Sequence, residues 1–259
     1  MTRAPLVAAV LAALGVATVV AVAQTPVDPR RSGSRDMGED LRAMQADDTA
    51  NPGMLAVVEG EALWNRPAGA TAKSCADCHG APAAMSGVAT RHPAFHAASG
   101  KPLALDQRID LCRVEKQGAE RFGPENRQLL ALTALVARQS RGQPIAPPED
   151  PRLRPFADAG AAFFGRRQGQ LNLSCANCHD DNAGRKLGGA TIPQGHPDGY
   201  PLYRLEWQAV GSLRRRLRNC LVGMRAEAWG YDAPEYVELE LFLMDRARGM
   251  PLQSPGVRP

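Results

Sequence analysis

Two pentapeptides constrain this chain more than any other feature: "CADCH" at residues 75–79 and "CANCH" at residues 175–179, 100 residues apart. The likeness between them runs upstream without a gap. Residues 60–80, "GEALWNRPAGATAKSCADCHG", line up with residues 160–180, "GAAFFGRRQGQLNLSCANCHD", sharing the leading glycine, an aromatic at the fifth place and Ser-Cys-Ala-x-Cys-His. An internal repeat of this length means two copies of one domain. Cys-x-x-Cys-His is the attachment site of c-type haem. Its two thiols add across the porphyrin vinyl groups, and the histidine that follows is carried beneath the iron. The expectation is therefore two covalent haems, held through Cys75 and Cys78 and through Cys175 and Cys178, with His79 and His179 as proximal iron ligands.

Composition agrees with bound groups of that bulk. Aromatic residues make up 5% of the chain, thin for two cores, and a haem in each would supply the missing mass. A formal charge of +4 gives nucleic-acid binding no support, so any electrostatic function must be local. The first residues carry one arginine, an apolar run and Ala21-Val22-Ala23, the form of an export signal at residues 1–23 cleaved after Ala23. An uncleaved anchor competes with that reading, because the run approaches the roughly 20 residues needed to span a bilayer. The Ala-x-Ala end and the lack of a basic stop favour cleavage, export to the periplasm, and a mature chain that is not membrane-embedded.

Each copy ends in a helical pattern. The first, "PENRQLLALTALVARQS", offers Pro124 at the first helical position and sets Leu129, Leu132, Leu135 and Val136 on one face. The second, "DAPEYVELELFLMDRARG", offers Pro234 in the same role, with Gly249 as a stop. Its alternating Val-Glu-Leu-Glu-Leu also fits a strand; the leading proline and the length favour helix. A helix, a haem motif, a loop and a closing helix resemble a class I cytochrome c domain. The expected fold is all-α, with tandem domains at residues 53–142 and 155–259. A proline-rich, semi-extended linker at 143–154 joins them, and 24–52 forms an extended or weakly helical lead-in.

The sixth iron position is the open question. An electron-carrying cytochrome c usually supplies methionine there, but Met85 lies six residues past His79, too near to reach the other haem face. Two cysteines remain. Cys112 falls 33 residues after His79 and Cys220 falls 41 after His179; each follows an arginine at minus four (Arg108, Arg216) and an aliphatic at minus three (Ile109, Leu217). Both read as axial thiolates. Competing readings are a Cys112–Cys220 disulfide, Met224 as ligand of the second haem, and His92, His96 or His196 in that role. Thiolate ligation stabilises ferric iron and lowers its potential, which suits a specialised centre better than a general carrier.

The second cysteine stands in "GSLRRRLRNCLVGMRAE", where Arg214, Arg215, Arg216 and Arg218 crowd the approach to Cys220. Paired haem motifs, a lone cysteine after each, an export signal and Arg-x-x-x-Cys together resemble the SoxA family, the dihaem subunits of the SoxAX cytochromes of sulfur oxidation. The resemblance spans nearly all of the mature chain. It implies an L-cysteine S-thiosulfotransferase that joins thiosulfate oxidatively to a cysteine of a SoxYZ-like carrier, with electrons passing to a SoxX-like monohaem cytochrome. It also implies that Cys220 is the catalytic thiol, carried as a persulfide, and that Arg216 binds substrate; Arg246 matches a further active-site arginine, a role that a one-place slip would hand to Arg248.

The charge is consistent with that chemistry. Thiosulfate is a dianion, and a guanidinium about 4 Å from a unit charge contributes about 4 kcal/mol at an effective dielectric near 20. Helical spacing places Arg216 on the face of Cys220, with Arg214 and Arg215 pointing elsewhere, towards a partner. Cys112 instead has Asp110 and Glu115 for neighbours. Rival readings are a dihaem thiosulfate dehydrogenase that forms tetrathionate and a non-catalytic low-potential carrier whose arginines dock an acidic partner.

Overall fold

The computed structural model of the protein describes residues 28–259. The expected export signal and the first residues of the lead-in lie outside the described residues. Nine α-helices are present among them: α1 (Glu39–Ala46), α2 (Met54–Trp64), α3 (Ala76–His79), α4 (Leu105–Cys112), α5 (Arg127–Arg138), α6 (Arg154–Gly165), α7 (Cys175–His179), α8 (Leu213–Gly223) and α9 (Pro234–Arg246). The repeat is plain in their packing, since α2 lies against α5 as α6 lies against α9. The leading glycine of each copy explains why it recurs. A Cβ on Gly60 would fall 2.3 Å from the Ala131 carbonyl oxygen, and one on Gly160 would fall 2.1 Å from that of Glu238. Each helix pair crosses where only a hydrogen atom fits.

Local sequence sets the other helix ends. Pro234 is the first residue of α9, as expected. Pro124 does not start α5. Asn126 caps it instead, its side chain accepting the Gln128 backbone N–H at 2.8 Å, which satisfies a donor that proline cannot. Leu129, Leu132, Leu135 and Val136 are buried, and so are Val237, Leu241 and Met244 of α9.

The expected all-α class needs one correction, because three small sheets are present. Strands β1 (Ala94–His96) and β2 (Lys101–Leu103) form a hairpin, as do β3 (Lys186–Leu187) and β4 (Ala190–Thr191). Strand β5 (Leu202–Arg204) pairs antiparallel with β6 (Ala209–Gly211) and parallel with β7 (Gly256–Arg258), at the end of the chain.

The lead-in and linker also differ from expectation. Residues 39–46 form α1, which packs on β7; Gln45 and Asn51 bind the backbone at Val257 and Pro255. The linker is extended but not free. The Ile145 N–H donates to the Met250 carbonyl, the Gly249 N–H donates to that of Ile145, and Ile145 is fully buried. Met244, Ala247, Met250 and Leu252 complete the core around Trp64, Leu132 and Leu135. The second copy thus lends its C-terminal end to the first, and the two pack as one body.

Candidate active site

The haem motifs are short helices fixed by their own serines. Ser174 caps α7, its hydroxyl accepting the Asn177 N–H at 3.2 Å while the Asn177 side chain accepts the Ser174 N–H at 3.1 Å. Ser74 and Asp77 make the same reciprocal pair ahead of α3, at 3.1 and 2.7 Å. This capping box explains the shared serine, and the variable residue of each motif, Asp77 or Asn177, closes it.

In the second copy the expected ligands converge. The His179 Nδ1 meets the Pro193 carbonyl at 2.7 Å, which fixes the ring and leaves Nε2 for the side facing Cys220. Burial opposes ionisation of the Cys220 thiol, but His179, Arg216 and Arg204 together outweigh it and hold the thiol below its ordinary value. Burial and the nearby Cys220 push the Cys175 thiol up to about 12 and raise that of Cys178 as well. Three thiols and one imidazole therefore share a single site.

The four arginines of α8 go four ways. Arg214 crosses to the first copy and pairs with Asp106 of α4. Arg215 stacks over Trp207, 4.3 Å from the ring centroid. Arg218 donates to the carbonyls of Ala228 and Trp229. Arg216, half-buried and one turn before Cys220, makes no side-chain hydrogen bond or ion pair among the described residues. The expectation that Arg214 faces a partner is overturned: it is spent inside the chain.

The first copy repeats the thiols with a different charge beside them, Arg113, which follows Cys112 and acts on Cys75. Cys112 ends α4 and lies close enough to Cys75 to help burial raise that thiol. Arg108, which matches Arg216 in spacing, is exposed. Asp110 is buried and accepts from the Phe122 N–H at 2.8 Å, the Gly123 N–H at 3.1 Å and Arg121 at 3.2 Å. The acid near Cys112 braces a loop, and the five π-helical residues that follow, Arg113–Gln117, turn the chain away.

The remaining expected residues are dispersed. Met224 is buried in the second core with Phe163 and Leu221. The Nδ1 of His92 meets the Val88 carbonyl, and His96 meets Ser99. All six cysteines are free, so Cys112 and Cys220 are not joined. Arg246 pairs with Asp180 at 2.6 Å and borders a cavity shared with His179, His196, Gln194 and Arg30. It stands beside His179 in that cavity. Arg248 binds Asp245. Sequence reasoning missed Arg204 and Tyr200, of β5 and the loop before it, which lie near enough to Cys220 to act on it electrostatically. Nothing in their spacing points to the site, since they come from a hairpin rather than from the cysteine's own helix.

A family model described as SoxA/TsdA, cytochrome c domain, matches residues 59–145 and 159–252, one stretch for each copy. The L-cysteine S-thiosulfotransferase subunit SoxA of Pseudaminobacter salicylatoxidans is 35% identical over 235 residues, 90% of this chain and 82% of that one. The chain belongs to the SoxA family. The SoxA of Paracoccus pantotrophus is 31% identical over 227 residues, 88% of this chain and 78% of its own. The crystal structure of SoxXA from P. pantotrophus superposes with a TM-score of 0.85 at 30% identity, covering 89% of this chain and 87% of that one.

Membership of this family implies c-type haem, and the donors fit. Each motif presents two free thiols and a histidine on a capped turn, a third thiol lies beside them, and in the second copy the imidazole is held by a backbone carbonyl with its other nitrogen towards that thiol. Among the described residues no helix is long and apolar enough to cross a membrane.

Proposed function

We propose that this SoxA-family chain is the thiosulfate-conjugating subunit of a periplasmic cytochrome complex, with Cys220 as its reactive sulfur and Arg216 as its anion-binding group. The observation that carries this reading is the free guanidinium of Arg216, half-buried and one helical turn from a thiol held below its ordinary value. The relatives named above are L-cysteine S-thiosulfotransferase subunits, and one solved relative is a SoxXA. A SoxX-like monohaem cytochrome is the expected partner, and a SoxYZ-like protein supplies the accepting cysteine.

Two haems would be held through Cys75, Cys78 and His79 in the first copy and through Cys175, Cys178 and His179 in the second, with Cys112 and Cys220 completing the two iron sites. Bound there, the group supplies a one-electron acceptor of low potential. The overall change is the joining of thiosulfate's outer sulfur to the carrier cysteine's sulfur. One S–S bond forms, two electrons leave, and the proton of the thiol goes to water. Arg216 neutralises part of the dianion and holds it against Cys220. Tyr200, whose phenol burial pushes up to about 12, adds no negative charge near Cys220. In the first copy Arg108 points to solvent and Asp110 is committed to a loop, which supports a structural or electron-relay role for that side.

The test is conjugation of thiosulfate to a carrier cysteine by the haem-loaded complex, followed by intact mass of the carrier. Cys220→Ala abolishes conjugation, and Arg216→Gln lowers it by at least about tenfold, the loss of one charge-assisted contact. Peptide mapping finds one extra sulfur atom on Cys220, removable by reductant. Unchanged conjugation in Arg216→Gln with an altered salt dependence would return the arginine to docking an acidic partner.

A further inference from the structure

We propose that Glu125 is a positioning residue: from the first copy it holds the first turn of α8 and thereby fixes where Arg216 and Cys220 stand. The inference rests on the assignment of Cys220 and Arg216 above and extends it to a residue of the other copy.

The two lone cysteines sit equally far from the starts of their helices. Ala104 precedes Cys112 by eight residues and caps α4; Ser212 precedes Cys220 by eight and caps α8. Each cap residue has a backbone N–H that the helix itself leaves open, and a side chain three residues on can reach back to it. In α4 Gln107 does so, accepting the Ala104 N–H at 3.0 Å. The equivalent residue of α8 is Arg215, which has no acceptor to offer and stacks on Trp207 instead. The first copy supplies what is missing: the Ser212 N–H donates to Oε1 of Glu125 at 3.3 Å. Glu125 can reach it because it directly precedes Asn126, the cap of α5, and α5 lies against β6, which leads into Ser212. A second tie follows at once. Asp106 of α4 and Arg214 of α8, each six residues before its cysteine, form the buried ion pair that joins the two helices.

The backbone at Glu125 is strained to make this contact. Its φ is +58°, a left-handed conformation uncommon for a residue with a Cβ. Among the described residues Ala72, Asn172, Gln208 and Arg225 also have positive φ, but none of their side chains hydrogen-bonds to the other copy; Gln208 binds only within its own hairpin. A glycine would make the turn before α5 without strain, so the turn alone does not call for glutamate. Strain of this kind persists where the surrounding structure holds it, and here the side chain it presents is the one that closes the start of α8. At about 1.5 Å per residue Cys220 lies about 12 Å beyond Ser212 along the axis, so a tilt of about 5° at that end moves it by about 1 Å. A misplacement of about 1 Å can cost about a hundredfold in rate.

The haem-loaded full chain with its partner subunit is compared as wild type, Glu125→Gly, Glu125→Gln and Cys220→Ala. Glu125→Gly removes the carboxylate and relieves the left-handed backbone, so the urea midpoint should hold or rise. The ferric EPR signal altered by Cys220→Ala marks the second site. Glu125→Gly is expected to shift or split that signal, to leave the other unchanged, and to lower kcat for thiosulfate conjugation at least about tenfold. Glu125→Gln keeps an acceptor oxygen without the charge and should restore both. A residue that only stabilised the fold would move the midpoint and neither the signal nor kcat. Should Glu125→Gly lower the midpoint, Glu125→Asn carries the test, since asparagine tolerates the same φ but its side chain is one methylene too short to reach Ser212. A wild-type signal with kcat within about twofold overturns the inference. So does a Glu125→Gln variant as impaired as Glu125→Gly, which would make the effect one of charge. Cys220→Ala separates the failures: if it leaves signal and conjugation intact, the reading of Cys220 falls; if it changes both while Glu125→Gly matches wild type, the positioning role alone falls.

Discussion

Removing the charge of Asp106 should loosen the two copies from each other. Arg214 and Asp106 join α8 to α4 with side chains 2% and 11% exposed, so water can replace neither partner. Two further acids, Glu240 and Asp232, also act on Arg214, but burial pushes the Glu240 carboxyl up and only Asp106 is ion-paired with the guanidinium. Asp106→Asn then leaves a buried guanidinium without its paired carboxylate. Breaking such a pair from one side costs about 3 kcal/mol or more. At about 2–4 °C per kcal/mol for a chain of this size, the midpoint falls by about 6–12 °C. The measurement is thermal unfolding of the haem-loaded protein followed by haem absorbance and by far-ultraviolet circular dichroism. Replacing both partners, Asp106→Leu with Arg214→Met, should return stability to within about 1 kcal/mol of wild type, because no charge is then stranded. A loss below about 1 kcal/mol in Asp106→Asn alone would refute the reasoning and make Glu240 the true counterion.

Gly160→Ala should cost about 3 kcal/mol by forcing α6 off α9, whereas Gly165→Ala, with open space around it, should be tolerated; urea unfolding compares them. Ser174→Ala removes the cap of α7 at about 1 kcal/mol and lowers the fraction of chains carrying the second haem, read by intact mass. His196 is held down to about 4 by burial, then by Arg246 and Arg30, so the unfolded chain binds more protons than the folded one between about pH 4 and 6.5. Its contribution is complete above that window and is lost as pH falls through it, and burial of His92 acts in the same direction. Stability measured across the window should depend less on pH in His196→Gln.

The parts legible in the sequence are those that chemistry ties to short spacings. Haem attachment needs two thiols and a histidine on one turn, and Ser74 and Ser174 stand where that turn needs a cap. The nearness of Arg216 to Cys220 was legible because one helical turn separates them. What stayed hidden depends on distant pairing. Nothing local in residues 250–259 announces that Met250 and Leu252 enter the first core or that β7 completes a sheet with β5. Arg204 was missed for the same reason, since its route to Cys220 runs through a hairpin register. Pro124 misled because proline fits the first helical position, but Asn126, two residues on, supplies the side-chain acceptor that a cap requires.

The duplication also shows how one ancestral site yields two different ones. Both copies keep the capped motif, the glycine crossing and a lone cysteine with an arginine one turn before it. The outcome is decided by where that arginine is sent. In the second copy Arg216 is half-buried on α8 and acts on Cys220, as does Arg204 from the hairpin before the helix. In the first, α4 leaves Arg108 in solvent, and the buried acid Asp110 is taken by backbone N–H groups of residues 122 and 123. The charge difference follows from packing around equivalent helices more than from the cysteines themselves: Arg108 and Arg216 stand at the same spacing, and only Arg216 is drawn inward.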